Sequence, residues 1–245
     1  MSIERVRKYR QRCAREYAKS IRLPSKYAYP DGNPIRPLPP IKVATGGLMI
    51  VGAYPSARFE YRESETRPKI HRLVPVADNL QPFAVEEYFD GLKVRRLVSG
   101  DGLVQFILQP LGLSPDHCWI TDLVKVFLYK PEHIEGCRET GTVRQIPETR
   151  SRLKEFGSAS LSWLEDECSL CKPKVVATLG LEVAQVVSGK RTRSASKLLT
   201  LEVDHPASIG GHDTLYLPHP DACRRYSKWR QQSNRQIGLI RELLS

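Results

Sequence analysis

Leu48-Met49-Ile50-Val51 is an apolar run too short for a helix, and the residues around it decide what it can be. Gly46-Gly47 precede it and Gly52-Ala53-Tyr54-Pro55-Ser56 follows. A brief, wholly apolar segment bounded by turn residues is the pattern of a strand buried on both faces, as in a parallel sheet. At its carboxyl end Gly52 permits close approach of the backbone and Pro55 fixes the turn. Ligands of open α/β sheets bind outside the carboxyl ends of the strands. The turn at 52–56 is therefore a candidate wall of a site.

Similar segments recur. Trp119–Phe127 reads as a second strand, with Asp122 and Lys125 among apolar neighbours; an acid there is costly to bury unless it is paired or binds something. Lys174–Gly180 reads as a third strand feeding a helix at Leu181–Ser188. Leu199–Val203 and Thr214–Leu217 read as late strands. The second of these leads through Pro218-His219-Pro220-Asp221 into a helix over 222–244. Gly102–Gly112 and the spacing of Leu153, Phe156, Leu164 and Cys168 predict further helices, with a connecting loop over 131–147. Strands alternating with helices predict an α/β fold built on a parallel sheet. The stretch Arg58–Gly100 is long for a loop, so it is either a lid or holds small elements of its own. It contains Val76-Ala77-Asp78-Asn79-Leu80-Gln81-Pro82-Phe83, where an aromatic follows several hydrogen-bonding side chains.

Ahead of the first strand, Ile3, Val6, Tyr9, Cys13, Tyr17 and Ile21 recur at helical spacing. Residues 24–40 hold six prolines and read as an extended strap. The expected organisation is thus a basic helix and strap over 1–40 and an α/β domain over 41–245. Lys and Arg number 38 against 27 acids, a net charge of +11, which favours a polyanionic partner, nucleic acid first. The excess is concentrated at residues 1–26 and 224–241. No segment approaches the roughly 18 apolar residues of a membrane span and the N-terminus lacks the apolar core of a secretory signal. A cytoplasmic protein with no membrane partner is expected. Among the six cysteines, Cys168 and Cys171 alone stand at ligand spacing. A closed zinc site needs four ligands, so no metal site is expected.

Four pieces stand in a fixed order: a strand ending in Gly-x-x-Pro, then Ile-Thr-Asp-x-Val-Lys, then Pro-Lys-Val-Val-x-x-Leu-Gly with a helix, then His-Pro before a basic helix. This order resembles the uracil-DNA glycosylase superfamily over about residues 46–225, and most resembles its iron–sulfur branch. The resemblance implies a three-layer α/β/α sandwich with a four-stranded parallel sheet. It also implies a monomeric enzyme that flips a base out of DNA and hydrolyses its N-glycosidic bond. By resemblance Gly52, Ala53, Tyr54 and Ser56 form the water-positioning loop and pocket wall. Phe83 stacks on the base, Asp122 meets its edge, and His219 donates to the departing base. Arg224 and Arg225 fall where the family places its intercalating loop, and Lys228, Arg191 and Arg193 are candidate DNA contacts. Each has a plain structural reading too: Phe83 as core, Asp122 as a satisfied strand-end acid, His219 as an ordinary loop histidine.

The chain departs from the family pattern at three places. The cluster branch needs four cysteines, yet only Cys13 lies near the N-terminus and Val126 stands where the second strand would carry another. No cluster and no other cofactor is expected. Ala53 and Tyr54 stand where relatives carry an acid or amide, so Asp78 is the expected substitute for activating water. Asp122 stands where uracil-specific members carry Asn. Ionised, it only accepts hydrogen bonds, which favours a base with an exocyclic amine such as cytosine. Ser56 stands where a tyrosine would block a 5-substituent, so a modified cytosine-type base is the expected target. Two other readings remain: a catalytically inactive DNA-binding protein of this fold, and a nucleotide- or RNA-binding α/β protein.

Overall fold

The computed structural model describes residues 3–40, 42–80, 83, 87–96, 98–142, 144–202 and 209–245. The chain opens with helix α1 (Ile3–Ser20), whose buried face is Val6, Tyr9, Cys13 and Tyr17. Strand β1 (Leu48–Gly52) follows, then the antiparallel pair β2 (Ala57–Glu63) and β3 (His71–Asp78) and the small hairpin β4 (Glu87–Phe89) and β5 (Val94–Arg96). Helix α2 (Val98–Leu103) continues through a π turn and a 3-10 turn to Gly112, whose left-handed backbone (φ 69°) closes it. After β6 (Cys118–Asp122) come α3 (Pro131–Glu139), α4 (Leu153–Ala159) and α5 (Leu161–Cys171). Next are β7 (Val175–Leu179), α6 (Leu181–Ser188), α7 (Thr192–Leu199), β8 (Thr214–Leu217), α8 (Pro220–Arg225) and α9 (Ser227–Leu244).

β6, β1, β7 and β8 form one four-stranded sheet in that order, all parallel. Every residue of these strands is buried, as expected where helices cover both faces. Alternation along each strand splits the interior in two. Met49, Val51, Trp119 and Val176 face one layer with α1, α4 and α5, while Leu48, Ile50, Ile120 and Ala177 face the other with Leu103, Ile107 and Ile240. The fold is the α/β sandwich with a central parallel sheet that the sequence pattern implies. The edge of β6 is covered by the end of the strap: Ala44 N–H bonds Cys118 O, and Ile120 N–H bonds Lys42 O, which removes a free edge.

Several element boundaries differ from the sequence reading. The second strand ends at Asp122 and does not run to Phe127. Residues 131–139, read as loop, form α3, entered through Pro131 at its first position. The amphipathic segment 153–168 is broken at Ser160, and the last helix is broken at Tyr226, whose backbone is extended. The strand expected at Leu199–Val203 is absent up to Glu202, because Ala195, Leu198 and Leu199 are the buried face of α7; Val203 lies outside the described residues. The stretch 58–100 holds the two β-hairpins.

At the centre of the first layer sits a buried ion pair. Lys125 Nζ lies 2.8 Å from Glu167 Oε1, both side chains fully buried, and donates also to Thr121 Oγ1 and the Asp122 carbonyl at 2.6 Å each. All three ammonium hydrogens are thereby used. Glu167 also accepts from Trp119 Nε1 (3.0 Å) and the Tyr9 hydroxyl (2.5 Å). The Tyr17 hydroxyl accepts from Lys125 N–H at 2.8 Å. Removing one partner strands the other charge in the core, at about 3–5 kcal/mol. Lys125→Met is expected to lower the urea-unfolding stability by that amount, and adding Glu167→Leu to restore much of it. A loss of under about 1 kcal/mol from Lys125→Met would show that the pair is not a keystone.

Candidate active site

The carboxyl ends of the sheet strands open onto a cavity of about 360 Å³, within the range of small-molecule sites. Ala53, Tyr54, Pro55 and Ser56 line it from the turn after β1, Asp122 from the end of β6, Glu182 from the start of α6, and His219 and Asp221 from the start of α8. Asn79, Phe83 and Ser99 enter from the long insertion, and Phe59, Phe127, Lys130, His133 and Arg150 complete the wall. Six residues singled out from sequence, Ala53, Tyr54, Ser56, Phe83, Asp122 and His219, thus meet on one surface. Gly52 lies just beneath them. A Cβ there would run into the Asp122 carboxylate and the Phe83 ring, so this position must be glycine for both to reach the cavity. Phe83 itself holds a left-handed backbone (φ 52°), a conformation that costs a bulky residue of order 1–3 kcal/mol and clusters at functional sites.

His219 caps α8: its Nδ1 accepts the Asp221 N–H at 3.2 Å. That bond places the proton of the neutral ring on Nε2. Burial pushes the imidazole below its ordinary value, against an opposing pull from Asp221 and Glu182. Burial therefore favours the neutral ring, which keeps an N–H to donate. Asp122 is shifted the other way. Burial raises its carboxyl to about 7, with Lys125 opposing and Glu167 reinforcing the shift. The Lys125 ammonium three residues on is the larger of the two charge effects and lowers the carboxyl, but burial outweighs it. Asp122 Oδ1 is buried without a hydrogen-bond partner, and so is Asn79 Oδ1.

Asp78 does not reach the cavity. Its Oδ1 accepts the Tyr29 hydroxyl at 2.8 Å and its Oδ2 the Arg36 N–H at 3.1 Å, so the strap occupies both oxygens. The structure gives no support to the expectation that Asp78 activates water: Asp78 is not among the residues lining the cavity, whereas the next residue, Asn79, is. Arg191 and Arg193 are exposed at the start of α7, and Arg224, Arg225 and Lys228 at the junction of α8 and α9; none lines the cavity. The last three lie five to nine residues beyond His219 in the chain.

Several cavity residues were not foreseen. Arg150 donates from Nε to the Tyr54 hydroxyl at 3.0 Å, stacks over the Tyr54 ring and is ion-paired with Glu182. A carboxylate thus stands beside a loop that has none. Phe127 stacks on His133 with 5.4 Å between ring centroids, and Phe59 packs on both. Burial pushes the His133 imidazole down to about 4, reinforced by Lys130, so this histidine is a neutral part of an aromatic wall.

The residues do not fit an iron–sulfur cluster. Among the described residues no group of three or more His, Cys, Asp or Glu side chains is placed to hold a metal. All six cysteines are buried and unpaired. Burial raises Cys13, Cys118, Cys168 and Cys171 each to about 12. No helix among the described residues is long and apolar enough to cross a membrane.

The family model for the Uracil DNA glycosylase superfamily matches residues 42–238. The chain belongs to that superfamily. No curated protein matches the chain.

Asp122 gives a pH signature. Its folded-state value of about 7 exceeds the roughly 3.9 of an unfolded aspartate. The native state therefore holds a proton that the unfolded chain has lost, and stability falls as pH rises between those values. Asp122→Asn has no such loss. Its melting temperature relative to wild type is expected to be higher at pH 8 than at pH 5. A pH-independent difference would mean that the carboxylate is buried at no cost.

Proposed function

We propose that the protein is a DNA glycosylase that draws a flipped base into this cavity and hydrolyses its N-glycosidic bond. The observation that carries the reading is the meeting of Tyr54, Ser56, Phe83, Asp122 and His219 on one wall system, within a chain of the Uracil DNA glycosylase superfamily. The base stacks on Phe83 and presents its edge to Asp122. As the bond from sugar C1′ to the base nitrogen breaks, its electron pair leaves with the base. The neutral His219 then donates its Nε2–H where that charge gathers. Preorganised donors of this kind contribute roughly 10²–10³-fold. Water adds its oxygen to C1′ and releases a proton, leaving an abasic site and a free base.

The 52–56 loop has no carboxylate to steer that water, and Asp122 is committed to the base edge. Glu182, joined through Arg150 to the Tyr54 hydroxyl, is the carboxylate adjoining the loop and takes this role in our reading. Asp122 as an acceptor favours a base with an exocyclic amine over uracil, and the exposed Ser56 leaves room for a 5-substituent. A modified cytosine-type base is the proposed target. Arg224, Arg225 and Lys228, with Arg191 and Arg193 on α7, are proposed to hold the phosphate backbone, giving salt-dependent affinity.

The test is incubation with duplexes carrying cytosine, 5-substituted cytosines, uracil and other bases, followed by alkali. Strand breaks with at least one cytosine-type base are expected at pH 8, where Asp122 is ionised. His219→Leu and Glu182→Gln are each expected to lower the rate about 10²-fold or more. Salt-sensitive binding with no breaks on any duplex would instead establish a binding protein that has kept the fold and lost hydrolysis, the reading that the acid-free loop favours.

A further inference from the structure

Buried acceptors without partners are rare, because each costs roughly 1–3 kcal/mol unless something supplies the missing hydrogen bond. Two of those found here, Asp122 Oδ1 and Asn79 Oδ1, belong to residues that line the same cavity. Both residues are almost wholly buried, Asp122 at 3% and Asn79 at 3% exposure. Among the described residues the remaining unpartnered buried side-chain atoms belong to Arg12 in α1 and to Gln232, Ser233 and Gln236 in α9, none of which lines the cavity. Two orphaned acceptors on one wall system call for an occupant that brings N–H donors to both.

The two side chains reach the cavity from unrelated parts of the chain, and each is held there. Asp122 ends β6, with its carbonyl fixed by Lys125. Asn79 follows β3, whose last residue, Asp78, is fixed by two bonds to the strap. Side chains alternate across a strand, so anchoring Asp78 on the strap side turns Asn79 toward the cavity. Asp78 is in this sense a positioning residue for Asn79.

We propose that Asn79 is a second base-reading residue, forming with Asp122 a two-acceptor edge that selects a base presenting an exocyclic amine. An amine carries two hydrogens on one nitrogen and supplies both acceptors. Uracil has one N–H on that edge, flanked by carbonyl oxygens that the acceptors would repel. The inference rests on the proposed function only in taking a nucleobase as the occupant; it requires binding, not hydrolysis.

The decisive measurement is the affinity of the intact chain for duplexes containing a 2′-fluoroarabino nucleotide, which resists cleavage, opposite an abasic site. The nucleotide carries cytosine, 2-pyrimidinone (the same ring without the amine) or uracil. With no partner base to break from, affinity differences report the pocket. Wild type is expected to bind the cytosine duplex about 10-fold or more tighter than the other two, in line with the roughly 1–3 kcal/mol of a well-made base contact. Asn79→Leu is expected to remove most of that preference, and Asn79→Asp, which keeps the acceptor and loses the amide donor, to retain it. No amine preference in wild type overturns the proposal, as does a preference that survives Asn79→Leu. Loss in both Asn79 variants also overturns it, since the amide nitrogen would then be the group that matters. Alkali treatment of the same sequences with ordinary deoxyribose separates the two claims. Amine preference without strand breaks leaves the edge and sinks the glycosylase. Breaks with a preference indifferent to Asn79 do the reverse.

Discussion

Lys125 and Glu167 form the contact on which the rest of this molecule depends. The pair lies where β6 ends, where α5 crosses the sheet and where α1 docks, and each element contributes a bond to it. A buried pair is weak as a source of net stability, since desolvation offsets most of the attraction. Its value here is geometric. The ammonium is used up by Glu167, Thr121 and the Asp122 carbonyl, which fixes the last residue of β6 to the core. The ammonium still lowers the nearby Asp122 carboxyl, but burial outweighs that pull. The interaction that positions the acid thus does not cancel the effect of burial, and Asp122 Oδ1 is left without a partner.

The cavity is assembled from chain ends that the sheet alone would not close. β1, β6 and β8 deliver the 52–56 turn, Asp122 and His219 to one side, as a parallel sheet must. The other walls are carried by the insertion between β1 and α2 and by the region around α3. The strap makes these additions precise. It bonds Asp78 through Tyr29 and Arg36, and it bonds the Phe127 carbonyl and Thr149 through the Tyr27 hydroxyl. Through the Leu38 N–H it also holds the Lys125 carbonyl, at 2.7 Å. A proline-rich segment suits this work, since it loses little conformational entropy on being fixed.

Much of this was legible in the residues, and what was not has identifiable physical causes. The sheet strands announced themselves because segments buried on both faces have nothing but apolar side chains to show, and Asp122 and His219 stood out as polar residues at their ends. The order of the motifs then brought Phe83 to the same place. Residues 131–139 escaped notice because α3 buries little beyond Gly136 and Cys137, so its periodicity is faint and Pro131 was its main signal. Leu198 and Leu199 were read as strand because a short apolar run does not distinguish the two structures. Asp78 and Asn79 show the sharpest limit. A strand turns its side chains over with every residue, so a register error of one selects the anchored residue in place of the one facing the cavity. Arg150, Glu182 and His133 could not have been found by spacing, because only tertiary contact makes them neighbours of Tyr54 and Phe127.

The acid-free turn that set the chain apart from its superfamily is better understood in this light. Tyr54 in place of a carboxylate is not an isolated loss. Its hydroxyl accepts from Arg150, Arg150 holds Glu182, and burial raises the phenol above its ordinary value, so it remains a neutral hydrogen-bonding group at any working pH. A short acid in the turn would face Asp122 across Gly52, and two carboxylates at that distance resist joint ionisation. Moving the negative charge out to Glu182, where a guanidinium neutralises it and solvent reaches it, leaves Asp122 as the buried acid of a cavity whose other acids, Glu182 and Asp221, are part-exposed. The departure at Ala53-Tyr54 and the departure at Asp122 are then two sides of one electrostatic constraint: a pocket that reads its occupant with a buried carboxylate keeps its other carboxylates, Glu182 and Asp221, where solvent reaches them.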